Sequence, residues 1–230
     1  MADEENVDVA ARPAKVAERL YKILQDDLKD RLNNIDDYLY GRHPDPYMPD
    51  TANGEYRLLA QRAVTNHCPL LVDTPAQQIY VDGFRRGALQ VNGLRKSSQD
   101  RKKLPEWIHW QESRLDSRQD AVHRGALAYG HSFTLTYFDE GEQKVLTKGL
   151  SPLRTSALFE DPANDDNAVA VLHVMREPRR NGGEIIQNGK ALLWDRTNKY
   201  ELEFGQGPDW DVISTEPHGL EGENPVTRFA

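Results

Sequence analysis

Residues 104–138, LPEWIHWQESRLDSRQDAVHRGALAYGHSFTLTYF, decide the fold. Leu104, Trp107, Ile108, Trp110 and Leu115 recur at three- and four-residue steps, which predicts an amphipathic helix that buries this stripe. Pro105 suits its first turn. Asp116 reads as the N-cap of a second helix, with Gln119 three residues later to complete a capping box. Ala121, Gly125 and Ala128 then fall at i, i+4 and i+7, leaving one helix face nearly bare so that a neighbour can approach its backbone. A mid-helix glycine costs about 1 kcal/mol against alanine, and close packing is the compensation to look for. Gly130 suits the left-handed residue that ends a helix. Phe133, Leu135 and Tyr137 alternate with Ser132, Thr134 and Thr136, the pattern of a strand with rings on one face and hydroxyls on the other, before residues 139–142 turn the chain. As it stands this is a helix–helix–strand packing unit without chemistry of its own.

The rest of the composition is consistent with that. A chain of 230 residues fits one large domain or two small ones, and 38% hydrophobic content with a mean hydropathy of −0.75 is polar for a self-contained globule. An open or ring-packed subunit is expected. With 37 acidic against 29 basic residues the formal charge is −8, which argues against a tight phosphate-binding surface. The single cysteine, Cys68, excludes an intrachain disulfide framework and a multi-cysteine zinc site, and points to a reducing cytoplasm during synthesis. It is read as a small buried apolar residue. No apolar run approaches the roughly 18 residues of a membrane span, and the acidic start is unlike a signal peptide.

Taken in order, the chain reads as α+β, with N-terminal helices followed by a mainly antiparallel β region. Residues 1–12 are expected to form a flexible tail. Val16, Leu20, Ile23, Leu24, Leu28, Leu32, Ile35 and Leu39 hold helical spacing up to Tyr40, predicting one long amphipathic helix that Gly41 and Pro44 stop. A coiled-coil strand and a packing helix both fit, with the packing helix as default. Residues 43–54 are a punctuated loop, and residues 55–66 a helix with Tyr56, Leu59 and Ala63 inward. Residues 70–79 read as a helix or an extended segment, and residues 81–84 as a short strand and turn. Arg95, Lys96, Arg101, Lys102 and Lys103 form the one concentrated basic patch, read as a solvated loop with phosphate contact as the other reading. Strands are expected at 144–148, 155–159, 169–175, 191–194 and 200–204, with Tyr200, Leu202 and Phe204 the cleanest half-buried alternation and a hairpin turn at Gly182-Gly183. Residues 205–225 are rich in Gly, Pro and acidic residues and carry no expected strand, and 226–230 read as a chain cut before its next element.

No catalytic, metal or cofactor residues are assigned. The run from Gly183 to Lys190 superficially suggests a phosphate loop, but its glycines have the wrong spacing and Ala191 stands where Ser or Thr is needed. His67 beside Cys68 lacks a partner motif for a metal. His109, His123 and His131 fall at no ligand or triad spacing and are read as surface or capping residues. The acid pairs Asp26-Asp27, Asp36-Asp37 and Asp165-Asp166 evoke a magnesium nuclease but read better as surface solvation.

Several short motifs, in order, carry a family resemblance. Tyr40-Gly41-Arg42-His43, Asn66-His67-Cys68-Pro69-Leu70-Leu71-Val72-Asp73, Val81-Asp82-Gly83-Phe84-Arg85, Trp107-Ile108-His109-Trp110-Gln111, Leu115-Asp116 and Ala126-Leu127-Ala128-Tyr129-Gly130-His131-Ser132-Phe133 occur in sequence, followed by Leu150-Ser151-Pro152 and Pro225-Val226-Thr227-Arg228-Phe229. From about residue 13 onward the chain resembles the portal proteins of tailed bacteriophages, in the branch common in phages of actinobacteria. The resemblance implies the N-terminal part of the peripheral wing domain: residues 13–138 as its helical part ending in the first strand, and 139–230 as its β-rich part, truncated before the stem, clip and crown. It further implies a homo-oligomeric ring, typically a dodecamer, at one capsid vertex of the virion, assembled in the host cytoplasm. Its implied partners are the major capsid protein, terminase, a head–tail adaptor and the double-stranded DNA passing through, with no membrane, no cofactor and no enzyme activity. A phage structural or scaffold binding module without a channel is the alternative, and a metal-dependent nuclease a third reading.

Overall fold

The computed structural model describes residues 9–42, 49, 53–63, 65–84, 104–161, 163, 167–182, 184–205, 210–220 and 222–229. The expected long helix is present in three parts: α1 (Pro13–Asp27), a π-helical turn (Leu28–Leu32) and α2 (Asn33–Leu39). Val16, Leu20, Leu24, Leu32 and Leu39 are buried along it, whereas Ile23 is exposed. Val9, inside the expected tail, is buried against α1 and the core. Two further helices follow, α3 (Gly54–Ala63) and α4 (Cys68–Gln78), so residues 70–79 are helical for most of their length. Residues 81–84 form no strand; the Val81 amide instead donates to Oε1 of Gln119 at 2.8 Å. Tyr56 and Leu59 of α3, expected inward, are exposed. The basic patch at 95–103 lies outside the described residues.

The central unit is α5 (Pro105–Glu112), α6 (Leu115–Tyr129) and β1 (Ser132–Asp139). Its start differs from expectation. Arg114, at φ 55°, precedes α6 in a left-handed conformation and Asp116 lies inside the helix without capping it. Gln119 is taken up elsewhere: its amide donates to Asp116 O at 3.2 Å while its oxygen receives Val81. Gly130 ends α6 at φ 82° as expected, a conformation that only glycine adopts without penalty. The tryptophan stripe is only half covered. No residue of α5 is buried, and Trp107 and Trp110 pack edge-on against Phe84 at 6.2 and 5.6 Å.

The β region comprises β2 (Lys144–Leu150), β3 (Thr155–Leu158), β4 (Ala170–Arg176), β5 (Arg179–Asn181), β6 (Glu184–Gln187), β7 (Gly189–Trp194), β8 (Asn198–Phe204), β9 (Trp210–Pro217) and β10 (Val226–Phe229). All pairings are antiparallel, in sheets ordered β10-β1-β2, β3-β4-β7-β8-β9 and β5-β6. The fold is therefore α+β. β9 arises in the Gly-, Pro- and acid-rich stretch where no strand is expected and β10 in the expected cut end, where it completes a sheet by pairing with β1. The expected boundary at residue 138 falls within the β1–β2 hairpin.

Strand alternation sorts the core into two clusters. Leu172, Val174, Ala191, Leu193, Tyr200, Leu202 and Phe204 point from the five-stranded sheet to Val16, Leu20 and Leu24 of α1. Val171 and Trp194 point from the opposite face to Phe133, Leu135, Leu150 and Val226. The hydroxyl face of β1 is not left to solvent, because α5 and α6 cover it. Their approach is possible because Gly149 lacks a side chain: an added Cβ would lie 2.8 Å from Val122 Cγ2. Gly125, on the small face of α6, sits against Ser132 and Pro152 in the same way. The layers thus run α1, five-stranded sheet, three-stranded sheet, α5–α6.

Candidate assembly surface

The end of the long helix, α4 and the C-terminus of α6 meet through polar groups that the backbone itself requires. The last carbonyls of a helix have no partner within it. Asn66 supplies one: its amide donates to Tyr38 O and Leu39 O at 2.9 and 3.3 Å, and its oxygen accepts from the Cys68 amide at 3.0 Å, opening α4. Gly41, at φ 68°, turns the chain away beside Asn66. At α6, Arg31 Nη1 donates to the Tyr129 carbonyl at 3.0 Å and the Tyr129 hydroxyl donates to Asp36 at 2.6 Å. Burial, then this bond to Asp36, raises the Tyr129 pKa. Asp36 also pairs with Arg42, so this acid is a structural acceptor rather than surface solvation. Arg124 of α6 holds Asp73 of α4 at 2.7 Å.

These contacts leave an apolar groove of about 260 Å³ between the long helix, α4 and α6, lined by Ile35, Tyr38, Leu39, Leu71, Val72 and Ala128 among others. Cys68 is part of it and is half-buried rather than buried. A second cleft of about 540 Å³ runs beside the small face of α6, past Ala121, Gly125 and Ala128 to Pro152. At the groove Leu71 is 77% exposed and Leu70 beside it is exposed too; on α3, Tyr56, Leu58 and Leu59 are also exposed. Contiguous exposed apolar patches are a common feature of surfaces that contact other molecules.

The histidines are structural in three different ways. His109 ties α5 to β2, with Nδ1 3.1 Å from Val145 O and Nε2 2.9 Å from Thr147 Oγ1. Because a carbonyl can only accept, Nδ1 is the donor to Val145. His123 is buried, against expectation, with its ring 5.6 Å from that of Phe229 on β10. His131 follows the α6 cap, and burial, with Arg228 and Arg31 nearby, lowers its pKa. Among the described residues no group of three or more His, Cys, Asp or Glu could hold a metal, and no helix is long and apolar enough to cross a membrane.

Sequence reasoning missed Asn224, which is buried and fixes β10. Its side chain donates to Trp194 O at 3.2 Å and accepts from the Val226 amide at 3.0 Å, and its own amide reaches Asn167. No periodic signal reports such a residue, since its partners come from three separate segments.

Caps, turn formers and ring contacts account for most of the short motifs, and the apolar surface faces outward: the class these features define is a structural subunit that assembles. The family model described as "Phage portal protein, SPP1 Gp6-like" matches residues 21–230, and the chain belongs to that family. This family is structural rather than enzymatic, and its proteins form a homo-oligomeric ring in the phage head. No curated protein matches the chain.

Proposed function

We propose that this chain builds the wing of a portal ring, typically of twelve subunits, at the unique vertex of a tailed-phage capsid. The ring passes double-stranded DNA inward during packaging and outward during ejection. It docks the terminase, which carries the ATP hydrolysis, and later the head–tail adaptor, while its rim sits among major capsid proteins. The observation that carries this reading is the family match over residues 21–230. The roles of Gly41, Asn66 and Gly130 as chain-reversing and capping residues support it, since these lie within the motifs that carry the resemblance. The net charge of −8 is compatible with DNA sliding past, because each phosphate neutralised by a basic wall would have to be released again.

Electron microscopy of the full-length product and of virions tests the proposal. A closed ring around a hole, at one vertex, is expected. Finding the chain in shell hexamers, along the tail tube, or only as a monomer or dimer overturns it.

A further inference from the structure

Four Asn-Gly pairs occur in the chain, at 53–54, 92–93, 181–182 and 188–189. This dipeptide carries a chemistry of its own. The backbone nitrogen of the glycine can attack the side-chain carbonyl carbon of the asparagine before it, because no Cβ stands in the way. How fast it does so depends on how freely the two residues leave their folded geometry. Three of the pairs differ in this respect, and 92–93 lies outside the described residues.

Asn53 immediately precedes α3. Its Oδ1 accepts from the Tyr56 amide at 2.9 Å and its main-chain carbonyl accepts from the Arg57 amide at 3.2 Å. The carbonyl to be attacked is thus held at the helix start, and freeing it removes a cap. Asn188 precedes Gly189, which is buried, pairs with Phe204 and has that ring packed over it. The Asn188 carbonyl also accepts from Arg176 at 3.0 Å. For the Gly189 nitrogen to turn, the start of β7 must part from β8 in the five-stranded sheet.

Asn181 is held by much less. It ends β5, a three-residue strand paired with β6 alone, and the register of that pair slips between Arg179 and Arg180. Asn181 and Gly182 are exposed, and Gly182 turns the chain at φ 61°. The Asn181 side chain has no hydrogen-bond partner among the described residues. None of the described residues of β5 and β6 belongs to either core cluster. A lone two-stranded hairpin is marginal in water, so this one opens without opening the core.

We propose that Asn181 is a site of self-modification. The Gly182 nitrogen gives its proton to solvent and bonds to Cγ of Asn181, the Cγ–Nδ2 bond breaks, and ammonia leaves. Water then opens the succinimide ring at either carbonyl, giving aspartate or isoaspartate at position 181. Water is the only co-reactant, and nothing is oxidised or reduced. The product places a carboxylate on the strand face that it shares with exposed Arg179. In the isoaspartyl form the main chain runs through Cβ and Cγ, which lengthens it by one carbon and breaks the pairing of residue 181 with Glu184.

Incubation of the purified chain at mildly alkaline pH tests this. Samples are taken over days and mapped after cleavage at glutamate, which separates 181–182 from 188–189 at Glu184. The 181–182 peptide should gain the mass difference between OH and NH2 at least several-fold faster than the 53–54 and 188–189 peptides, as two products that elute apart. In guanidinium chloride, with hairpin and core both unfolded, the three rates should converge. A native rate at 181–182 no faster than at either other pair overturns the proposal, and so does the same ratio of rates in denaturant as in the folded protein. Asn181→Gln lengthens the side chain and should abolish the gain in that peptide with Tm unchanged; a gain that persists there also overturns it.

Discussion

Gly189 has no side chain because Phe204 occupies the space: an added Cβ would lie 2.6 Å from the ring's Cζ. That ring cannot easily give way, since it stacks on Trp210 at 4.2 Å and meets Tyr21 at 5.0 Å. Gly189→Val is expected to cost about 1–3 kcal/mol, read as a lower urea midpoint at unchanged slope. An unaltered midpoint means the aromatic stack can shift. His173 offers a second test at this scale. It bonds Thr155 Oγ1 at 2.9 Å between the sheets, and burial, helped by Lys148 and Arg154, lowers its pKa from 6.5 to about 4. In that interval the unfolded chain binds a proton that the folded one refuses. Stability from neutral His173 is therefore complete above about pH 6.5 and is lost as pH falls toward 4. The melting temperature of wild type should drop more steeply over this window than that of His173→Gln, and parallel curves would refute the assignment. Gly130 was legible in advance because its requirement is local. Gly149 and Gly189 were not, because the atoms that exclude a Cβ there come from other elements.

Among the elements, the long helix shows why a stripe can be right and its geometry wrong. At 3.6 residues per turn, the eight-residue step from Leu24 to Leu32 overshoots two turns by about 80°, while the seven-residue step from Leu32 to Leu39 nearly closes. The π-helical turn at Leu28–Leu32 absorbs one residue and returns Leu32 to the buried side. Deleting exposed Asp30 should convert this turn to α-helix and leave the packing of α2 in phase, with only a few degrees lost in Tm. Deleting Lys22 from α1 rotates everything after it and should be far more damaging. Equal damage from the two deletions would show that the turn is not a one-residue correction. The tryptophan helix is the opposite case. Its spacing was correct, but spacing states which side faces a neighbour and not how completely the neighbour covers it; among the described residues Phe84, α6 and β2 pack against this helix and still leave all of it short of burial.

At the scale of the whole molecule, the five-stranded sheet is common to both core clusters, since adjacent residues Val171 and Leu172 serve opposite sides. Neither side can open without disturbing the other. Leu20→Ala on the α1 side and Leu135→Ala on the three-stranded side should each cost about 2–5 kcal/mol and lower one shared unfolding transition. Two transitions, each sensitive to only one of the changes, would make the layers independent. The order of the motifs along the chain was enough to reach the family, because such motifs mark turns and caps whose chemistry is short-range. The placement of the apolar surface was not, and Tyr56 and Leu59 were assigned inward because periodicity cannot tell a core from a partner. By itself the sequence determined the α+β class, the helix stop at Gly130, the β8 alternation and the family, all of which follow from backbone preference and side-chain period over a few residues. Tertiary structure alone decided that residues 210–217 and 226–229 become strands, that Asn224 and His123 are buried, and that the leucines of α3 face out. Those outcomes depend on hydrogen-bond and packing partners far away in the chain, and local propensity carries no information about them.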